Sequence, residues 1–168
     1  MQYSVGVEYA LHCLVYLIDV PQEETVGIKD LAEFQGLSET FLSKVFGKLS
    51  KAGIVSSVPG VKGGYRLAKS PEEISFWDVI EAVEGPKPIF QCKNIVQNGL
   101  LYRDKECSSC ESSNSTCTIN LVMLEAEEHM REFLRNKTLK WLDKKLNVVL
   151  PEKQRTDTRE YFTKKNSN

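Results

Sequence analysis

The stretch Ile28-Lys-Asp-Leu-Ala-Glu-Phe-Gln-Gly36-Leu-Ser38, continued by Glu39 to Ala52 and by Gly53-Ile-Val-Ser-Ser-Val-Pro-Gly-Val-Lys-Gly-Gly-Tyr-Arg-Leu67, decides the fold. Its first part reads as a short helix with Ile28, Leu31 and Ala32 on one side, broken at Gly36. Ser38 then stands where an N-cap belongs, its oxygen able to accept from the free amides of a second helix. In that second helix Phe41, Leu42, Val45, Phe46 and Leu49 recur at helical spacing and form the expected buried stripe. Thr40, Ser43, Lys44, Gly47, Lys48 and Lys51 are left for the opposite face. Beyond Gly53, the runs Ile54 to Val58 and Tyr65 to Ala68 are β-like, and the Pro-Gly-Val-Lys-Gly-Gly turn between them predicts a hairpin. Helix, turn, helix and hairpin in that order describe a winged helix-turn-helix, whose second helix enters the DNA major groove.

Charge points the same way. The whole chain of 168 residues is nearly neutral, with 22 basic and 23 acidic side chains. The window Ser38 to Lys69 is not: Lys44, Lys48, Lys51, Lys62, Arg66 and Lys69 face one acid, Glu39, leaving +5. Clustered cations on a helix and its adjoining hairpin suit phosphate, because each contact releases condensed counterions. The expected DNA-facing set is therefore Ser38 at the head of the helix, with Thr40, Ser43 and Lys44 at base edges. Lys48, Lys62, Gly63, Gly64 and Arg66 are expected at phosphates or in the minor groove.

Composition, 41% hydrophobic and 27% charged, is that of an ordinary globular protein. No apolar run approaches the ~20 residues that span a bilayer. Leu11 to Ile18 is short and lacks the flanks of an export signal, so a cytoplasmic location is expected. No nucleophile–base set or phosphate loop marks an enzyme. Ser4 caps a predicted helix to about Asp19, on which Glu8 and His12 lie i and i+4 apart, sharing one strip of surface. By spacing alone they read as a surface ion pair. Ser75 with Asp78 predicts a capping box for a helix Phe76 to Glu84 that buries Phe76, Val79, Ile80 and Val83.

The predicted organisation is a winged helix-turn-helix domain over residues 1–85 and a cysteine-containing loop over 86–118. A long dimerisation helix and a short helix follow over 119–148, then a polar, frayed tail over 149–168. The fold is thus mainly α with a small β-hairpin wing. The long helix carries more apolar residues than so small a domain can cover, which points to a homodimer on a palindromic site.

Five cysteines in a chain with no export signal argue for metal or redox chemistry rather than a disulfide framework. Cys107-Ser-Ser-Cys110 spaces two thiols for one metal centre, Cys117 follows, and Cys92 lies upstream. Thiolates suit iron–sulfur clusters and zinc, and the same cysteines could form a metal-free disulfide switch. Cys13, in an apolar helix, reads as core.

The sequence resembles the Rrf2 family of bacterial winged-helix regulators. The resemblance rests on Glu8-Tyr9-Ala10-Leu11, Leu37-Ser38 with Phe41-Leu42, and Leu49 with Gly53-Ile54-Val55. It continues through Gly60-x-x-Gly63-Gly64-Tyr65 and Asp78-Val-Ile-Glu-Ala-Val-Glu-Gly85, covering about residues 1 to 135. It implies a homodimer that binds double-stranded DNA at a palindromic promoter operator. The first helix is most similar to the RsrR-like branch, which implies a 2Fe-2S cluster held by Glu8 and His12 of one subunit and two loop cysteines of the other. Those would be Cys117 with Cys110 or Cys107; an all-cysteine set of Cys92, Cys107, Cys110 and Cys117 is the alternative. The resemblance implies a redox-responsive repressor, with a cluster-free thiol sensor and a zinc-dependent repressor as other readings. Pro59 stands where several relatives carry a basic residue, leaving Lys62 as its substitute. Ser43 replaces an acid, which implies a different operator sequence.

Overall fold

The computed structural model describes residues 3–21, 24–60, 63–91 and 117–166. Its elements, in order, are α1 (Val5–Tyr16), α2 (Ile28–Gln35), α3 (Glu39–Lys51), β1 (Val55–Val58), β2 (Gly64–Leu67), α4 (Phe76–Glu84), α5 (Thr118–Arg135), α6 (Leu139–Val149) and α7 (Glu152–Asn166). They divide into two compact units, residues 1–86 with 134–168, and residues 87–133.

The first unit is built on apolar faces that alternate with the helical period. Leu14 on α1, Leu31 on α2, Leu42, Phe46 and Leu49 on α3 and Val79 on α4 are completely buried. Each such side chain contributes about 1.5–3 kcal/mol on leaving water, against about 1 kcal/mol for a typical cap. Gly36 ends α2 in the left-handed region at φ 66°, a conformation that costs glycine nothing, and so makes the tight turn into α3. Gly6 lets α1 approach closely: a Cβ there would lie 3.4 Å from Val83 Cγ1 and 3.5 Å from Val45 Cγ2.

Strands β1 and β2 pair antiparallel with Val55 opposite Leu67 and Ser57 opposite Tyr65. Val26 adds a bridge to the hairpin, exchanging both backbone hydrogen bonds with Tyr65 at 2.9 and 2.8 Å. The Tyr65 ring packs edge-on against Phe46 of α3, with centroids 4.9 Å apart. The wing is thereby seated on the second helix of the helix-turn-helix.

The capping box forms: Ser75 Oγ accepts from the Asp78 amide at 3.1 Å, and Asp78 Oδ2 accepts from the Ser75 amide at 2.7 Å. Two local expectations shift. Trp77 is buried where Phe76 was expected, and Phe76 turns to meet Trp141 of α6 edge-on at 6.3 Å. Ser4 makes no side-chain cap; its backbone amide donates instead to Glu84 Oε1 at 2.9 Å, joining the start of α1 to the end of α4.

The expectation of a frayed polar tail is corrected. Residues Glu152–Asn166 form α7, whose Phe162 is 4% exposed. Its ring lies against Tyr16 of α1 and Phe34 of α2, partners more than a hundred residues away that tail composition cannot reveal.

In the second unit, α5 has one buried residue among those described, Glu127. Its carboxylate accepts from the Ile89 amide at 3.0 Å and pairs with Arg131, so the connector after α4 is tied to α5 by a charge. Along the rest of α5 Ile119, Val122 and Phe133 are 69%, 59% and 61% exposed.

Candidate nucleic-acid interface and metal ligands

Helix α3 presents its polar side because its apolar side is completely engaged. Ser38 Oγ accepts from the Phe41 amide at 3.4 Å, a weak cap that orients the first turn. Leu42, Val45, Phe46 and Leu49 are buried and fix the rotation of the helix. Thr40 and Lys44 are therefore exposed and Ser43 half-buried, and these three with Glu39 line one shallow concavity. The side chains expected at base edges are thus brought together on one open face. Phe41 departs from the expected buried stripe: it is 38% exposed, and its ring meets Tyr9 of α1 edge-on at 5.9 Å.

Lys48 has a partner that the spacing of α3 did not show. Its ammonium donates to the Val83 carbonyl at 2.5 Å, in the last turn of α4. A cation there satisfies an orphan carbonyl and complements the helix dipole, so Lys48, exposed on α3, also joins α3 to α4. Sequence shows a lysine on the polar face but not which neighbouring helix end lies within reach.

On the wing, Gly63 and Gly64 are required by the backbone itself. A Cβ on Gly63 would sit 2.3 Å from the Val58 carbonyl oxygen, and one on Gly64 2.4 Å from that of Val26. Both glycines thus keep the hairpin closed and bridged. Arg66 is half-buried on β2 opposite Ser56, and with Lys69 it lines a concavity that reaches Leu17 and Ile18 at the end of α1. Lys62 lies outside the described residues.

Glu8 and His12 are both exposed on α1. They do not pair with each other, although the same spacing does bring Glu125 and His129 to 3.8 Å on α5. Among the described residues no partner engages either side chain, which leaves one carboxylate and one imidazole open on a single strip of surface. Such a donor pair fits a borderline metal centre completed by thiolates. Cys117 is half-buried just before α5. Cys92, Cys107 and Cys110 lie outside the described residues. Among those described, no three His, Cys, Asp or Glu side chains converge as a metal site. Cys13 is completely buried in α1, and burial pushes its thiol up to about 12.

No described helix is long and apolar enough to cross a membrane. Comparison with known proteins agrees with this geometry. The family model described as "Rrf2: Iron-dependent Transcriptional regulator" matches residues 3–145. The chain is 30% identical to the HTH-type transcriptional regulator NsrR of Shouchella clausii over 140 residues, 83% of this chain and 87% of that protein. It is 30% identical to the HTH-type transcriptional regulator IscR of Pectobacterium atrosepticum over 152 residues, 90% of this chain and 85% of that one. Among solved structures, the oxidized form of Staphylococcus aureus CymR superposes with a TM-score of 0.59 at 28% identity, covering 85% of this chain and 96% of that one.

Proposed function

The chain belongs to the Rrf2 family of transcriptional regulators, and from that premise we propose that it is a homodimeric repressor whose operator binding is governed by a 2Fe-2S cluster. DNA-binding regulation is the family's activity, so the protein is not an enzyme. The observation that carries the sensing half of the proposal is the open Glu8–His12 pair on α1. Glu8 and His12 of one subunit would hold the cluster with two loop thiolates of the other, Cys117 and either Cys110 or Cys107. When bound, the cluster supplies a one-electron couple, at a potential raised by replacing thiolates with an imidazole and a carboxylate. His12 would ligate through one ring nitrogen, leaving the other free to donate a hydrogen bond.

Output follows from packing. Helix α1 touches α3 and α4 at Gly6, so a shift imposed at Glu8 and His12 is passed to Val45 and Val83. On α3, Thr40, Ser43 and Lys44 would meet base edges, while Lys48, Lys62, Gly63, Gly64 and Arg66 would meet phosphates or the minor groove. The exposed stripe Ile119, Val122 and Phe133 on α5 supports a two-fold dimer, which pairs two recognition helices with a palindromic operator.

The test is a visible spectrum with iron and sulfide analysis on anaerobically purified protein, beside Glu8→Ala and His12→Ala. A brown protein with about one two-iron cluster per subunit, lost or spectrally shifted in both variants, is expected. An unchanged cluster in both variants would reassign the ligands to the four loop cysteines. A colourless, iron-free protein would leave the thiol switch, a reading favoured by the likeness to a CymR solved in oxidized form. Zinc would then be sought by metal analysis.

A further inference from the structure

Helix α7 begins at Glu152, beyond residue 145 where the family match ends, and it is fastened to three other helices at once. Phe162 stacks on Tyr16 at the end of α1, with centroids 5.3 Å apart and planes at 29°. It also tilts against Phe34 of α2 at 5.0 Å, and Tyr161 meets the same Phe34 at 4.9 Å. Beside this cluster Arg159 Nε donates to Asp19 Oδ2 at 2.7 Å. Arg155 pairs with Asp143 of α6, donates to Asn147 at 3.0 Å and lies 3.8 Å from Asp19. Aromatic area supplies adhesion and the ion pairs supply register.

The helix gaining most from this is α2. It has eight residues, of which Leu31 and Ala32 are buried. A helix so short does not hold itself in water, so its order depends on what packs against it. Phe34 is half-buried, and its described aromatic partners are Tyr16 and the two α7 rings. Helix α2 is also the element that crosses the DNA backbone in a helix-turn-helix, while α3 reads the groove.

We propose that α7 is an intramolecular strap that keeps α2 ordered and in register, and so raises the affinity of the helix-turn-helix for DNA. The proposal rests on the reading of α2 and α3 as the DNA-binding unit. A helix that frays when unbound must be re-ordered on binding, and apparent affinity falls by the fraction of time it is out of place.

The test compares the full-length protein with Phe162→Ala and Arg159→Ala by amide hydrogen exchange, and by affinity for mixed-sequence duplex DNA at fixed salt. In Phe162→Ala the amides of α2 and the end of α1 should exchange about tenfold faster, with those of α4 unchanged. DNA affinity should fall by about threefold to tenfold with the same salt slope, because no phosphate contact has been removed. Arg159→Ala, a change at the surface, should show the same pattern more weakly, and it decides the matter if Phe162→Ala fails to fold. Unchanged protection of α2 in the folded variants would overturn the strap, as would faster exchange with unaltered DNA affinity. If the unmodified protein bound no DNA, the helix-turn-helix reading would fail, while the exchange data would still show whether α7 orders α2.

Discussion

Cys13 shows how one residue's chemistry is set by its surroundings. Spacing put it in the apolar face of α1, and the structure buries it completely, so its thiol stays protonated up to about pH 12 against an ordinary value of 9.0. The unfolded chain releases that proton at the ordinary value while the native protein retains it. The Cys13 contribution is therefore complete below pH 9.0 and is lost as pH rises toward 12, at up to about 1.4 kcal/mol per pH unit. Urea unfolding across that window should give a flatter pH dependence for Cys13→Ala than for the parent; equal slopes would mean that the thiol ionises freely in the fold. Glu8 and His12 illustrate the converse. Their spacing was legible, but whether they pair with each other or stand apart at the surface was not, since side-chain pairing depends on rotamers that spacing does not specify.

At the level of elements, the recognition helix divides its lysines by what lies behind them. Lys44 and Lys48 are both exposed, but Lys44 stands beside Thr40 and Ser43 whereas Lys48 donates to the Val83 carbonyl. Replacing Lys44 with Ala should weaken DNA binding and flatten the dependence of log K on log salt by about one unit. Lys48→Ala should flatten the slope as well and also lower stability by about 1 kcal/mol, the worth of a charged hydrogen bond at a helix end. Titration at several salt concentrations checks both slopes, and an unchanged slope for Lys48→Ala would remove it from the phosphate contacts. The elements themselves were readable because their signals are local. Ser75 and Asp78 form a box within four residues, Gly36 supplies a left-handed turn, and the Pro-Gly and Gly-Gly pairs bracket the turn of the hairpin. Helix α7 was not readable as a packed element, since its one buried described side chain, Phe162, meets rings far away in the chain.

For the whole molecule, the open question is what covers α5. Ile119, Val122 and Phe133 recur at helical spacing and are more than half exposed. A two-fold seam would bury each of them twice, so Val122→Lys should cost the dimer roughly 3 kcal/mol. Sedimentation velocity should then show a monomer in place of a dimer, with weaker binding to a palindromic site; an undiminished dimer would move the seam off α5. By itself the sequence determined the helix-turn-helix and its hairpin, the caps at Ser38 and Ser75, and the buried stripe of α3 apart from Phe41, because each follows from periodicity and turn chemistry within a few residues. It also placed Thr40, Ser43 and Lys44 on one face, since a helix whose apolar side is specified has its polar side specified too. Tertiary structure alone decided that Lys48 serves α4, that Gly63 and Gly64 serve the hairpin backbone, that Glu127 anchors Ile89 and that α7 straps α1 to α2. These are contacts between segments distant in the chain, and a free ammonium, carboxylate or ring carries no mark in the sequence of the partner that folding brings to it.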